Sequence, residues 1–322
     1  MGKHLLLFLL CSNAALLRAQ ELFPRNEPAS TMPKGTLGVR LLDETFKEIH
    51  TVRSMTGLRL MYGITPKWTF FVQPSVSNHH DTLLPKDIIT HTHVGNQTFY
   101  YTQSKQYGKK YPYLFNGFYF FSKYRFLSFD GEQKHLRFAV YGEYSAIHTA
   151  HDEAEPDLMD DNGGYGGGLI ATLLRKKLAV SLYTGFQVAN KYTELRIDPT
   201  TSPVYFHTEL DYGRALHYHL SIGYLCFPKK YENYTDRNIN LYLEIEGRSY
   251  ESARLIQNGE TIDIQSPALK GGTYVEFHPG LQEILDSNTR IELSAGFSVY
   301  HRSYTHFYPL YSIGIQRYFF RK

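Results

Sequence analysis

Two stretches of the chain gather side chains that coordinate cations. His79-His80-Asp81 is followed closely by His91 and His93, and further on His148, His151, Asp152, Glu153, Glu155, Asp157, Asp160 and Asp161 crowd into one segment. Neutral imidazole nitrogens suit first-row transition metals, and clustered carboxylates suit calcium. On residue type, His79, His80, His91, His93, His151, Asp152, Glu153, Glu155 and Asp157 are therefore the metal candidates. Neither stretch has a known ligand spacing such as that of the EF-hand loop, and a solvated acidic loop is the preferred reading of the second. Hydrolytic chemistry is less well provided for. There is no G-x-S-x-G elbow, and the glycine-rich run Gly163 to Gly168 lacks the Lys and Ser or Thr of a phosphate loop. No cofactor is implied.

What these residues can do depends on the elements that hold them, and the clearest element lies at the C-terminus. Ile291, Leu293, Ala295, Phe297 and Val299 alternate with Glu292, Ser294, Gly296, Ser298 and Tyr300. Tyr311, Ile313, Ile315 and Phe319 then alternate with Ser312, Gly314, Gln316 and Tyr318. A period of two is the mark of a strand with one apolar face. That face could pack on a second sheet in a soluble sandwich, or it could meet lipid. The same alternation recurs over Leu37–Leu42, Gly57–Ile64, Trp68–Ser77, Tyr113–Phe126, Leu136–Ser145, Tyr165–Leu173, Leu178–Val188, Leu216–Tyr224, Ile239–Glu246 and Thr273–His278. Pro74 predicts a bulge, because proline cannot donate to a ladder.

The total is about twelve strands, an even number, as single-chain bacterial barrels have. Polar loops are expected over 44–52, 78–111, 148–163, 191–212 and 249–270, and the connections largely alternate between short and long. Short turns at one end and long loops at the other are what a transmembrane barrel does, and a sandwich has no reason to sort them. The predicted fold is all-β, a transmembrane antiparallel up-and-down barrel of about twelve strands.

The N-terminus agrees. Lys3 and His4 precede an apolar run from Leu5 to Leu17, with a cleavage point near Ala19-Gln20, which reads as a secretory signal peptide over 1–19. Residues 20–34 are rich in Pro and polar groups and are expected as a periplasmic leader, with the barrel over 35–322. After cleavage Cys226 is the only cysteine, so no disulfide framework exists. No later segment supplies the ~20 apolar residues of a spanning helix. The 27 tyrosines and 21 phenylalanines suit the two interfaces of a bilayer. A net charge of +3 with no basic stripe gives no reason to expect nucleic acid.

The strand register turns Arg40, Arg59, Lys123, Arg125, Arg137, Glu143, His217, His219, Glu244, Glu246, Arg248, Glu276, His278 and Glu292 towards the lumen. Charges of both signs in a narrow space must pair or meet water. Either they line a selective pore, or they lock a closed barrel. The inward histidines have no outward serine opposite them, which weighs against a lipid-modifying enzyme.

The terminal strand also resembles the C-terminal assembly signal of bacterial outer-membrane barrels at Ser312, Gly314 and Phe319, which makes 308–320 the segment offered to the barrel-assembly machinery. Tyr62-Gly63-Ile64-Thr65, Lys123-Tyr124-Arg125-Phe126 and Gly271-Gly272-Thr273-Tyr274 through Pro279-Gly280-Leu281 are similar to segments of the outer-membrane barrels grouped with the MetA-pathway phenol-degradation proteins, Bacteroidetes-type versions especially. This resemblance implies a barrel with a transport role in the outer membrane of a Gram-negative bacterium, in contact with lipid and lipopolysaccharide. It transfers no catalytic or binding residue, and the small-molecule solute stays open. A channel for small solutes through a polar, charged lumen leads; a closed structural or surface-interaction barrel and a lipid-modifying enzyme follow. On any membrane reading, the purified chain should remain monodisperse only in detergent or lipid. Light scattering that finds a stable soluble form in plain buffer would show the apolar faces packing on one another.

Overall fold

The computed structural model describes residues 23–81, 83–84, 90–94, 97–101, 109–198, 204–233, 235–262 and 266–320. The expected signal peptide lies outside the described residues. The strands in chain order are β1 (Leu37–Glu48), β2 (Thr51–Thr65), β3 (Trp68–Ser77), β4 (Thr90–Val94), β5 (Gln97–Tyr101), β6 (Leu114–Asp130), β7 (Lys134–Ser145), β8 (Gly164–Arg175) and β9 (Leu178–Ala189). They continue with β10 (Tyr192–Asp198), β11 (Val204–Asp211), β12 (Arg214–Phe227), β13 (Asn238–Tyr250), β14 (Arg254–Gln257), β15 (Glu260–Ile262), β16 (Gly272–Leu285), β17 (Thr289–Tyr300) and β18 (Leu310–Phe319).

Among the described residues twelve strands close into a barrel in the order β1-β18-β17-β16-β13-β12-β9-β8-β7-β6-β3-β2. Every neighbouring pair is antiparallel, and β1 completes the ring: Leu37 stands opposite Tyr62 of β2 on one side and Phe319 of β18 on the other. Closure leaves no unpaired edge, the condition for a sheet in hydrocarbon. The outward faces are apolar, as the alternation predicts. Leu37, Leu41, Leu58, Tyr62, Leu182, Phe186, Leu241, Leu293, Ile313 and Ile315 are each 41 to 54% exposed, a belt that water would penalise and lipid covers.

Inside, large and small side chains alternate across strands. Tyr242 lies over Gly280, His278 over Gly296, Glu292 over Gly314 and Glu143 over Gly166; a Cβ on any of these glycines would fall within 2.5 Å of the side chain above it. The glycines are floor space for the groups that line the lumen.

The structure lengthens several expected elements. The stretch 44–52 is not a loop: β1 and β2 run on to a tight turn at Ile49-His50. Its polarity misleads because Glu48 faces inward, where Arg53 pairs with it and neither side chain is exposed. The 191–212 connection contains β10 and β11, and 249–270 contains β14, β15 and a 3-10 turn at Pro267–Leu269. These four short strands form their own sheet, in the order β10-β11-β14-β15, outside the barrel. β16 passes through Pro279 to Leu285, and its pairing to β17 skips from Phe277 to Gly280, as a residue without an N–H requires. The bulge expected at Pro74 is a register shift beside it, between Ser75 and Val76.

Turns at 66–67, 131–133, 176–177, 228–237 and 286–288 fall at one end of the barrel, and the longer connections 78–113, 146–163, 190–213, 251–271 and 301–309 at the other. An Arg at Leu182, near the middle of an outward face, should destabilise the barrel by about 2–4 kcal/mol in lipid vesicles. The same change at the exposed turn residue Lys176 should cost nothing measurable in urea unfolding.

Candidate functional site

Of the expected periplasmic leader, the described residues 23–34 form a plug inside the barrel. Gly35, with φ of 77°, turns the chain sharply between the plug and β1, and its N–H bonds to Gly63 of β2 at 2.7 Å. Gly63 must lack a side chain, because a Cβ there would lie 2.1 Å from the Pro33 carbonyl. From that point residues 23–34 run through the lumen. Met32 N–H donates to Thr69, and Ala29 N–H to Thr172, both at 2.8 Å. The Glu27 carboxylate sits between Arg59 at 2.8 Å and Lys123 at 3.1 Å. Glu244 accepts the backbone N–H groups of Arg25 (3.1 Å) and Asn26 (2.9 Å). The Arg25 guanidinium bonds to Glu246 at 2.8 Å, to Ser312 at 3.0 Å and to Glu44. Arg40 pairs with Glu292 and donates to the Pro24 carbonyl at 2.5 Å. A polar segment with both charges is what a charged lumen needs once water is excluded.

A cap lies at the other end. The acidic segment 148–163 is not solvated: His151, Glu153, Glu155, Asp160 and Asp161 are all buried. It folds inward, carrying Leu158 into the same apolar cluster as Ala29 and Met32 of the plug. Arg248 holds it from β13, donating to the Pro156 carbonyl at 2.5 Å and lying 3.6 Å from Glu155 and 3.8 Å from Asp157. Asn116 donates to Asp160 at 2.7 Å, and Tyr212 to the His151 carbonyl. Ser303 donates to Glu155 at 2.8 Å.

Between plug and cap lies a chamber of about 160 Å³, with Arg25, Arg59, Glu143, Glu246, His217 and Arg248 among its lining. One wall is a ladder of stacked rings, Phe71 to Phe121 at 4.9 Å, Phe121 to Tyr141 at 5.3 Å and Tyr141 to Tyr183 at 4.5 Å. Arg59 caps it, 4.0 Å above Phe71. The glycine-rich run noted in the sequence belongs here: β8 lies between β7 and β9, and its Gly168 is paired with both Tyr141 and Gly185, so the rings meet across it.

The lumen candidates divide by position. Arg40, Arg59, Lys123, Glu143, His217, His219, Glu244, Glu246, Arg248, Glu276, His278 and Glu292 all face inward. Glu143 accepts from Tyr119 at 2.5 Å, His217 bonds Tyr141 at 2.5 Å, and His278 lies 3.1 Å from Glu276. His219 lies 3.5 Å from Glu246. Arg125 and Arg137 lie nearer the short-turn rim: Arg125 donates to the Pro66 carbonyl at 2.9 Å, and Arg137 to Asp130 at 3.0 Å and to Ser30 inside the barrel at 3.1 Å.

Of the metal candidates, His79, His80, His151 and Asp152 come together where the cap meets the end of β3, Glu155 and Asp157 turn to Arg248 of β13, and Glu153 is buried in the cap. His91 and His93 fall on β4, which pairs with β5; their side chains are outside the described set. Arg25, Glu27, Glu44 and His306 were not singled out by sequence reasoning. For Glu44 the signal was present, since it continues the inward period of Arg40 and Leu42. For Arg25 and Glu27 only their charge, matching that of the lumen, pointed inward.

No family model matches the sequence, and no curated protein does. Among solved structures, an outer membrane channel from Pseudomonas putida F1 is similar at a TM-score of 0.53 and 12% identity, over 93% of this chain and 100% of that one. OmpT, an outer membrane protein of Vibrio cholerae, aligns at 0.25 and 13% identity over 89% of this chain and 100% of its own, and a mutant of the ferric enterobactin receptor from Pseudomonas aeruginosa at 0.24 and 11% over 83% and 40%. At these identities the first likeness speaks to the fold alone, which is that of an outer-membrane β-barrel.

His306, in the connection before β18, sits 3.4 Å from Glu276 and 3.9 Å from Glu44. Burial would lower its pKa, but those carboxylates and Glu155 raise it to about 10. The raised value means that protonated His306 stabilises the fold fully below its ordinary pKa of about 6.5 and progressively less as pH climbs towards 10. The thermal midpoint of the wild type should therefore exceed that of His306→Asn at pH 7, and the difference should shrink steadily by pH 10.

Proposed function

We propose that this barrel is an outer-membrane channel for small polar solutes, shut in the described conformation by its own N-terminal segment. The observation that carries the reading is the way the plug is held. Residues 23–34 lie in the lumen through ion pairs and hydrogen bonds, such as Arg25 to Glu246 and Glu27 to Lys123, and join the wall covalently only where the chain enters β1. A segment held in this way can leave without unfolding the sheet, and its departure would join the chamber to the short-turn side. A solute in the chamber would find ring faces on one side and charges of both signs on the other. The channel described from Pseudomonas putida F1 has a similar fold, which supports the class and says nothing of the solute.

The reading carries a location with it: the outer membrane of a Gram-negative bacterium, with lipopolysaccharide around the longer loops and strand 308–320 as the segment offered to the assembly machinery. It is a channel and not a catalyst, and the strand histidines support this, because His217, His219 and His278 face a phenol or carboxylates instead of a hydroxyl nucleophile. One observation favours a second reading, a permanently closed barrel: cap and plug share a single apolar cluster through Leu158, Ala29 and Met32.

Planar-bilayer recording separates the two. Removing one partner of a buried pair costs about 3–5 kcal/mol, enough to release the plug. Arg25→Ala combined with Glu27→Ala should convert rare, small conductance steps into frequent, larger ones, while β-sheet content is unchanged. Silence in both wild type and variant would favour the closed barrel and sink the channel.

A further inference from the structure

One buried cluster is left without a role by the channel reading. His79 and His80 follow directly on the end of β3, and Asp161 comes from the cap. One candidate ligand atom from each lies within 4.8 Å of the other two, and all three residues are buried. His80 Nε2 lies 2.5 Å from one Asp161 oxygen, and His151 Nδ1 lies 3.9 Å from the other.

His151 is the telling member. It has no solvent exposure, and its Nε2–H donates to the Glu155 carbonyl at 2.8 Å, which leaves Nδ1 as the bare nitrogen. That Nδ1 has no hydrogen-bond partner. A buried imidazole nitrogen stripped of water with nothing in return is unfavourable. A ring whose far nitrogen is fixed by a carbonyl while its near nitrogen points at a carboxylate is what the outer shell of a metal site looks like. His79 is steadied in the same manner by Asp160, 2.6 Å from its Nδ1. Beside the cluster is a void of about 10 Å³ lined by His79, His80, Ala150 and Asp152, room for a single small ion.

We infer that His79, His80, His151 and Asp161 form a binding site for one transition-metal ion of the zinc class, which clips the cap to the end of β3. Three imidazole nitrogens and one carboxylate oxygen are a tetrahedral donor set, and bonds of about 2.0–2.1 Å would place them roughly 3.4 Å apart. Filling the site asks the 2.5 Å contact to open and His151, which stands outside the 4.8 Å group of the other three and 3.9 Å from the second Asp161 oxygen, to move inward. Nitrogen-rich donors select zinc, copper or nickel over magnesium and calcium. Lys109, lining the same void, is paired with Asp81 at 3.0 Å, so its charge does not oppose an ion. The site is off the chamber, and the inference stands whether or not the lumen conducts.

Full-length protein refolded in detergent, stripped with EDTA, reloaded with zinc chloride and desalted should retain about one zinc per chain by elemental mass spectrometry. Cobalt in its place should give the intense visible bands of a tetrahedral ion. His80→Ala, Asp161→Asn and His151→Ala should each lower retention at least tenfold, whereas His50→Ala, at an exposed turn, should not. Because the loop variants could fold poorly, a second measurement accompanies the first: zinc should raise the thermal midpoint of the wild type and leave that of His151→Ala unmoved at equal β-sheet content. Background zinc in folded wild type would overturn the inference, as would equal retention in His80→Ala or an equal loss in His50→Ala. Any of these results would leave a cluster of imidazoles and carboxylates that merely hydrogen-bond one another.

Discussion

A charge inside this barrel has almost no water to turn to, and the rest of the structure follows from that. Taking an ion out of water costs several kcal/mol unless another group replaces the lost hydration. The inward faces supply Arg40, Arg59, Lys123, Glu244, Glu246 and Glu292, and the walls alone do not neutralise them all. Arg25 answers Glu246 and Glu44, Glu27 answers Arg59 and Lys123, and backbone N–H groups of the plug answer Glu244. The N-terminal segment thus supplies partners for individual wall charges as well as filling the lumen. This pairing gives the segment a single register. It does not make the barrel much more stable, because buried ion pairs do little more than recover what their burial costs.

The cap solves the same problem from the other end with a different balance. Its acidic residues meet Arg248 from the wall, Ser303 from the last connection and a group of imidazoles at the end of β3. Apolar contacts then do what charges cannot: Leu158 reaches the cluster that holds Ala29 and Met32, so the two closures rest on each other. The chamber lies between them, with the ring ladder and Arg59 as one wall.

Much of the barrel was legible in the chain because lipid outside and charge inside impose a strict period of two, and a slip of one residue would reverse both faces. Leu58, Leu60 and Tyr62 against Arg59 and Met61 could have only one orientation. Legibility failed where that contrast fades. Glu44 to Val52 looks like a loop because β1 and β2 rise past the hydrocarbon, where outward residues such as Asp43 and Thr45 are free to be polar. The acidic segment 148–163 looks solvated because composition records charge and not the partners that bury it.

The twelve barrel strands, their facing and the even count were legible in the sequence, since each depends only on neighbours a few residues away and on the solvent each face must meet. Only the tertiary structure decided that residues 23–34 enter the lumen, that the acidic segment folds inward, and that His79, His80, His151 and Asp161 meet. Those outcomes join residues separated by as many as 287 positions in the chain, as in the bond from Arg25 to Ser312, and no local pattern encodes which distant charge will take the place of water.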